Sequence, residues 1–404
     1  MSTLVHFLPR AGRGFLLAGL AGALLALSST AYAQSYSEEF SQKYNEGATA
    51  FKAHDLNKAF SAARAAQGVA KGGAEKNAAA LLMVNVAGAA SKFTEQAEAL
   101  EQLIASESVP AGSKGQMHKA LANAYAHLNK LDKAIFEMKE ALKGGGSPAD
   151  LEALATMYFG ARDCKNGIET LDKALGGKEP NVAQLKFKDS CYFQAKDNDK
   201  LLAVAEALLR KDPSKNWYNQ ILSIHQDSKK DKLDDLAQLN LLRYGFEHDY
   251  LDQEADYIKL ADKALDVGTT AEAQRVLERG ISKKVIKTMD RANRLLDQAK
   301  ARAVDDAKTA PQLDAEARAG KNGDTDVKLG LRYYSMKQYD KAAEALSRGL
   351  SADRVARVKR PDDANLVLGI VYTQLKKSAE AAKAFGAAKA DPRMAVAAKL
   401  WLGA

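Results

Sequence analysis

The feature that most constrains this chain is a short apolar pattern that recurs along it at a nearly fixed period. In the clearest copy Leu121 and Ala122 precede Tyr125, and a second small residue follows at Ala134. The second small residue marks nine copies, at Ala59, Ala97, Ala134, Gly167, Ala203, Ala237, Ala273, Ala342 and Ala381. Successive markers are 33 to 39 residues apart, except for one gap of 69 residues, which is about two periods. Such a period predicts an array of similar stacked units.

Each unit of the array is predicted to be helical. The chain is crowded with Ala, Leu and Lys, contains only 8 prolines, and lacks the alternating Val/Ile/Thr runs that mark strands. Helical periodicity extends from about Ser37 to the end of the chain. Two helices can approach closely only where neither carries a bulky side chain, so the small markers indicate helix pairs with Leu, Tyr and Phe filling the space beside each contact.

The pattern resembles the tetratricopeptide repeat, a helix-turn-helix unit of about 34 residues. Its best copies are residues 121–141, 154–174, 329–349 and 368–388. The resemblance implies an all-α fold, an α-solenoid of about ten helix pairs. The alternative is a plain helical bundle in which the spacing is accidental. The second, sixth and eighth copies depart from the pattern. In the gap of 69 residues we expect a weak repeat, with one helix near 282–303 and a short second helix after Pro311.

The repeats are predicted to follow a signal sequence and to fall into three blocks. The signal covers residues 1–33, and the blocks are 34–143, 144–320 (partly degenerate) and 321–404. The breaks are suggested by Gly144-Gly145-Gly146 and by residues 320–326. The last segment, 393–402 with Trp401, is predicted to be a helix that caps the final repeat.

The first residues have the composition of a cleavable secretory signal. Arg10 and Arg13 precede an apolar run of 13 residues, and Ala31-Tyr32-Ala33 provides an Ala-x-Ala cleavage site. The run is shorter than the roughly 20 residues that span a membrane, although an uncleaved anchor is the alternative. We therefore expect a mature periplasmic protein, without a transmembrane segment, beginning after Ala33. Loss of the two arginines lowers the formal net charge from +8 to +6, which is too weak and too dispersed to indicate nucleic-acid binding.

Two cysteines, Cys164 and Cys191, occur in this exported chain. Single cysteine pairs in an oxidising compartment usually form a disulfide, and two buried thiols are the alternative. The resemblance places Cys164 at the start of the second helix of one repeat and Cys191 on the first helix of the next. A bridge would close a loop of 27 residues, worth about 3 kcal/mol in the chain-entropy model.

The sequence carries no recognised catalytic motif. Zinc-protease, hydrolase, phosphate-loop and dinucleotide-binding motifs are missing from the sequence. His118 and His127 are too far apart along one helix to suggest a metal pair, and Asp326 is interpreted as a helix cap. The basic insertion 354–360 stays open as a functional surface. We expect no catalysis, no cofactor and no metal.

In the resembled family the first helix of each pair (helix A) lines a concave groove that binds proteins or peptides. Carried onto this chain, the groove positions are Lys119, Asn123, His127, Glu152, Phe159, Lys188, Tyr192, Lys196, Asn219, Leu222, Gln226 and Tyr334. The predicted function is a periplasmic scaffold or adaptor that binds protein partners in the cell envelope. The alternatives are an envelope polymer or lipid-surface binder, and an accessory subunit of a cell-wall enzyme or of a complex that energises outer-membrane transport.

Overall fold

The computed structural model describes residues 36–227, 233–389 and 392–403. These residues form twenty α-helices and one 3₁₀ turn at Val355–Arg357, and contain no strand. The chain divides into two compact units, one ending at Pro180 (unit 1) and one beginning at Asn181 (unit 2). The predicted signal sequence lies outside the described residues.

Unit 1 consists of four successive helix pairs. Its helices are α1 (Glu38–Lys52), α2 (Leu56–Val69), α3 (Gly73–Ala89), α4 (Phe93–Ala105), α5 (Ala111–His127), α6 (Leu131–Leu142), α7 (Pro148–Gly160) and α8 (Cys164–Leu175). Each odd-numbered helix packs on the even-numbered helix that follows it, and each pair packs on the next. This succession is the all-α stack of helix pairs that the repeat pattern predicts.

Unit 2 contains twelve helices among its described residues. These are α9 (Val182–Ala195), α10 (Asn198–Lys211), α11 (Lys215–Asp227), α12 (Asp235–Glu247), α13 (Glu254–Asp266), α14 (Thr270–Ser282), α15 (Met289–Ala319), α16 (Gly323–Ser335), α17 (Tyr339–Gly349), α18 (Pro361–Gln374), α19 (Ser378–Ala388) and α20 (Pro392–Leu402). Tight pairs form between α9 and α10, α13 and α14, α16 and α17, and α18 and α19.

Every tight pair turns at a residue with left-handed backbone, which we call its turn residue. The turn residues are His54, Ser91, Asn129, Arg162, Lys196, Gly268, Lys337 and Lys376, with φ between 55° and 77°. The amide after each turn residue donates to a carbonyl five residues earlier, as Lys130 N does to Tyr125 O at 2.9 Å. This hydrogen bond ends helix A in a Schellman motif, and the turn residue gives each pair a common register.

In that register the small residues of most pairs take equivalent positions. Ala59, Ala134, Gly167, Ala273, Ala342 and Ala381 stand five residues after their turn residues. At Gly330, on the facing helix, an added Cβ would lie 2.5 Å from Leu346, so this contact requires glycine. Ala203 does not follow the series, because it is exposed and Leu201 occupies the equivalent buried position.

The weak repeat expected around Pro311 is one continuous helix. Residues 282–303 do not form a separate first helix, because Ser282 ends α14 and α15 extends from Met289 to Ala319 through Pro311. None of the described residues 289–319 adopts a positive φ; the segment contains no glycine, and its one asparagine, Asn293, lies near the start of α15 and far from Pro311. Proline removes one helical hydrogen bond, and without a turn signal this does not end the helix.

The predicted capping helix is present as α20, and its role in unit 2 is larger than capping. It packs on α19, and it also contacts α10, α12 and α18. Met394, Leu400 and Trp401 are almost completely buried. The last helix of unit 2 therefore contacts helices from both the early and the late part of the same unit.

Candidate protein-binding face

Two positions on helix A, ten and six residues before the turn residue, lie one above the other on one helical face. In unit 1 these positions are Tyr44, Leu81, Lys119 and Glu152, and Ala48, Asn85, Asn123 and Thr156. We call these eight residues the front face. All eight are partly or fully exposed. The predicted groove residues Lys119, Asn123 and Glu152 belong to it.

The same two positions are mostly buried in the last three helix pairs of unit 2. They are Ile258, Val327 and Leu366, and Asp262, Leu331 and Ile370, of which all but Asp262 are buried. The predicted groove residue Tyr334 is also buried and donates its hydroxyl to Glu272 at 3.1 Å. In these pairs other residues of unit 2 cover the face that corresponds to the front face. Tyr334 therefore belongs to the core of unit 2 and not to an open groove.

On the front face the ammonium of Lys119 is held by another residue of unit 1. Its Nζ lies 2.8 Å from Oδ2 of Asp150, which forms a capping box with Ser147 in the first turn of α7. Burial disfavours the charged carboxylate of Asp150, but the bonds from Lys119 and Ser147 outweigh burial and lower the pKa of Asp150. The ion pair therefore already neutralises the cation of the front face.

The two asparagines of the front face retain unused hydrogen-bonding capacity. Asn85 donates from Nδ2 to the Leu81 carbonyl at 3.1 Å, within its own helix. The Oδ1 atom of Asn123 is buried and has no hydrogen-bond partner among the described residues. A buried acceptor without a partner is uncommon in folded proteins and needs an explanation.

Two other predicted groove residues of unit 1 lie beside the front face. His127 is exposed and stacks on Phe93 with ring centroids 4.1 Å apart. Phe159 faces its own pair, because a Cβ added at Gly167 would lie 2.6 Å from its ring. Neither residue shares the register of Asn85 and Asn123.

In α9 the groove register predicted from the sequence was displaced by two residues. Tyr192 stands four residues before its turn residue, where other pairs carry Tyr125, Tyr158, Tyr333 and Tyr372. Its ring faces Lys200 of α10 at 5.5 Å, and Lys196 is itself the turn residue. The prediction is displaced because Cys191 resembles the small residue of helix A, whereas the structure places half-buried Asp189 at that position. Lys188 is displaced by the same two residues.

The remaining predicted groove residues lie on α11. Asn219 is half-buried and Leu222 is buried, while the side chain of Gln226 lies outside the described residues. Helix α11 has no turn residue in the described part of the chain, so the register that defines the front face does not extend to it.

A buried polar network inside unit 2 was missed by the sequence reasoning. Fully buried Arg243 donates to Glu272 from Nε and Nη2 at 2.9 and 2.7 Å, and from Nη1 to Asn240. Asn240 donates to Asp363 of α18 at 2.6 Å. Burial disfavours the Glu272 carboxylate, but Arg243 outweighs burial and lowers the pKa of Glu272. Asn240 and Arg243 interrupt an otherwise apolar run, which was the available signal.

The basic insertion between α17 and α18 has a packing role that the sequence did not reveal. Arg354 Nη1 and Arg348 Nε donate to fully buried Asp326 at 2.7 and 2.6 Å. The N-cap of α16 is Asn322, so the interpretation of Asp326 as a cap was wrong. Arg360 pairs with Asp234 at 3.0 Å. The charges of Arg354 and Arg360 are therefore explained by contacts within unit 2.

The predicted disulfide is confirmed: Cys164 and Cys191 are bridged. Within the described ranges no cluster of three or more His, Cys, Asp or Glu side chains could hold a metal ion. The helices described here include none that is both long and apolar enough to cross a membrane.

No known family profile matches this chain, and no curated protein matches it. Among solved structures, Naa15/Naa10 bound to HypK-THB is 16% identical with a TM-score of 0.39, and 88% of this chain aligns with 54% of that chain. This chain thus spans about half the length of that structure. A tetratricopeptide repeat protein from Parabacteroides merdae is 10% identical (TM-score 0.23, 91% of this chain, 100% of that one). The P58(IPK) repeat domain is 13% identical (TM-score 0.23, 89% and 98%). At these TM-scores the assignment of the fold rests on the chain's own turns and packing.

Proposed function

We propose that the chain is a binding scaffold that takes a segment of another protein on the front face of unit 1, without catalysis. The observation that carries the proposal is the difference in exposure of equivalent positions. In unit 1 all eight front-face residues are accessible, whereas five of the six equivalent residues in the last three pairs of unit 2 are buried. Stacked helix pairs use the face lined by helix A for binding, and within the described ranges unit 1 offers it over four successive pairs.

The proposed setting is an exported, oxidising compartment of the cell envelope. The disulfide supports this setting, because such bonds persist where thiols are not kept reduced. The signal composition of residues 10–33 supports it independently. We expect the full chain to be secreted with loss of residues 1–33, as measured by mass spectrometry of the recovered protein. Recovery of the uncleaved chain from the cytoplasm would contradict the proposed compartment.

Site-specific photocrosslinking tests the binding face directly. Benzoylphenylalanine is introduced at Leu81 and Thr156 on the front face and, in matched controls, at the exposed Lys139 of α6 and Lys383 of α19. The front-face variants are expected to form the same discrete protein adducts in cells, and the controls to form none of them. Adducts common to all four positions would contradict the proposal. Retention of the purified chain on cell-wall polymer or anionic vesicles, lost with salt, would favour the surface-binding alternative.

A further inference from the structure

We infer that α20 is a strap, a helix docked over the rest of unit 2, which opens as the pH rises because its docked position buries the carboxyl group of Glu206 on α10. The inference concerns unit 2 and goes beyond the binding face proposed for unit 1. Three observations lead to it: the register of Glu206 on its helix, the contacts that α20 makes around it, and the charges available to the buried carboxyl group.

Glu206 occupies a position that faces solvent in the other tight pairs of the described chain. It stands ten residues after its turn residue Lys196, on the second helix of its pair. The equivalent residues of the other seven pairs are all exposed, namely Arg64, Glu101, Lys139, Asp172, Glu278, Ser347 and Gly386. Glu206 itself is only 6% exposed. A helix pair by itself therefore leaves this position open, and a further element buries Glu206.

Helix α20 is the further element that lies over Glu206. The Nζ atom of Lys399 on α20 is 3.6 Å from Oε2 of Glu206. At the end of the same helix Gly403 lies against Arg210, one turn after Glu206, since an added Cβ at Gly403 would be 2.5 Å from Cδ of Arg210. The helices that pack on α10 are its sequence neighbours α9 and α11, and α20. Helix α20 therefore closes over a part of α10 that its neighbours in sequence leave accessible.

The apolar side of α20 packs on α12. The Sδ atom of Met394 lies 3.8 Å from Nδ2 of Asn240, and the ring of Trp401 meets Tyr244 edge-on with centroids 5.3 Å apart. Both α20 side chains are almost completely buried. Docking of α20 thus combines favourable apolar burial on α12 with the burial of an acidic group on α10. Opening reverses both and returns Glu206 to solvent.

The charges around Glu206 do not compensate for its burial. Lys399 and Arg210 are the charged groups that act on it, and α9 and α11 contribute none in the described part of the chain. The side chain of Lys399 is 47% exposed, so water screens its attraction. Burial therefore outweighs both cations and raises the pKa of Glu206 above its usual 4.5.

The sign of the pH dependence follows from this raised pKa. Docked α20 leaves Glu206 with a proton that the open state, with its exposed carboxyl group, has already released. Docking is therefore strongest below about pH 4.5, the usual pKa of the exposed group, and it weakens as the pH rises through the raised pKa.

Two other titratable side chains lie beside α20. Asp363 shares Asn240 with Met394, and burial raises its pKa, so a contribution from Asp363 has the same sign. The ring of His248 is 5.9 Å from that of Trp401, and burial lowers its pKa, so a contribution from His248 has the opposite sign. Comparison with a variant that alters Glu206 alone cancels both contributions.

Hydrogen exchange of the native protein, read by mass spectrometry of peptic fragments, measures the opening of α20. Because exchange itself accelerates with pH, the rate for residues 394–403 in the parent is divided by the rate in Glu206→Gln at the same pH. This ratio should be constant below about pH 4.5 and should then rise, by at most about tenfold for each unit of pH, before it levels off. The same ratio for residues 378–388 of α19 should not change.

Lys399→Met provides a second test with the opposite sign, and Lys383→Met, at an exposed lysine of α19, is its matched control. Where the ratio has levelled off, loss of Lys399 removes a cation from the ionised carboxyl group. Residues 394–403 should therefore exchange faster in Lys399→Met than in the parent, and more slowly in Glu206→Gln. Lys383→Met should exchange like the parent. Circular dichroism shows that each variant is folded.

Three outcomes would overturn the inference. A ratio that does not change with pH would show that docking of α20 takes up no proton at Glu206. Equal changes in the fragments from α19 and α20 would show that unit 2 opens as a whole and that α20 is not a separate strap. Faster exchange of residues 394–403 in Glu206→Gln than in the parent would show that the ionised carboxyl group stabilises docking.

Discussion

At the scale of single residues, unit 2 is distinguished by charged side chains in its core. Arg243 and Glu272 form a bidentate ion pair with side chains only 1% and 5% exposed. Removing one partner of such a pair leaves the other charged and unpaired, which costs about 3 to 5 kcal/mol. We therefore expect Glu272→Gln and Arg243→Met each to lower the free energy of unfolding of unit 2 by that amount, measured by urea denaturation. Arg318→Met, which breaks exposed ion pairs with Asp314 and Glu344, should cost less than about 1 kcal/mol.

The buried carboxyl of Asp363 predicts a pH dependence with a definite sign. Burial raises the pKa of Asp363 above its usual 3.8, and Arg243 and Asn240 only partly oppose the rise. The folded state then holds a proton that the unfolded state has released, so stability falls as the pH rises through the folded pKa. Asp363→Asn keeps the acceptor for Asn240 and removes the titration. Relative to this variant, the parent should lose stability as the pH rises above about 4, the usual pKa of an aspartate; a difference that does not change with pH would contradict the raised pKa.

At the scale of secondary-structure elements, the tight turns determine the register of the helix pairs. Seven of the eight turn residues are not glycine although their φ is positive, and L-residues pay about 1 kcal/mol or more for this backbone. Lys337→Gly should therefore raise the free energy of unfolding by about 1 kcal/mol. Lys383→Gly, an exposed position inside α19, should lower it by a similar amount. Both are measured by thermal denaturation, and the same sign in both variants would show that the turn is not strained.

The sequence predicted the helix pairs well because their small residues and their period are both local signals. It could not predict α15 as one helix, because a gap of 69 residues between two markers fits a missing turn and a degenerate repeat equally well. It also could not separate an accessible face from a covered one. Asn123 and Tyr334 were both assigned to the groove by register, and only the packing of residues more than 60 positions apart, such as Glu272 on Tyr334, shows that Tyr334 is covered.

On the scale of the whole molecule, the same kind of helix pair is used in two ways. Unit 1 repeats one arrangement four times and leaves its front face accessible. Unit 2 interrupts the repeats with α11, α12 and α15, and its own last helix contacts α10 and α12. Contacts between distant parts of the sequence make unit 2 a block with its own core, whereas unit 1 depends on contacts between neighbouring pairs. This difference in topology predicts that the two units differ in how they unfold.

The chain provides a fluorescence probe of unit 2, because its two tryptophans, Trp217 and Trp401, both lie in that unit. Tryptophan fluorescence therefore follows the unfolding of unit 2, while helical ellipticity follows both units. Leu100→Ala, in the core of unit 1, should cost about 2 to 5 kcal/mol. It should move the part of the ellipticity transition that has no counterpart in fluorescence, and leave the fluorescence transition in place. Glu272→Gln should move the fluorescence transition. If each variant shifts both signals together by the same amount, the chain unfolds as one cooperative block and the division into two units has no thermodynamic meaning.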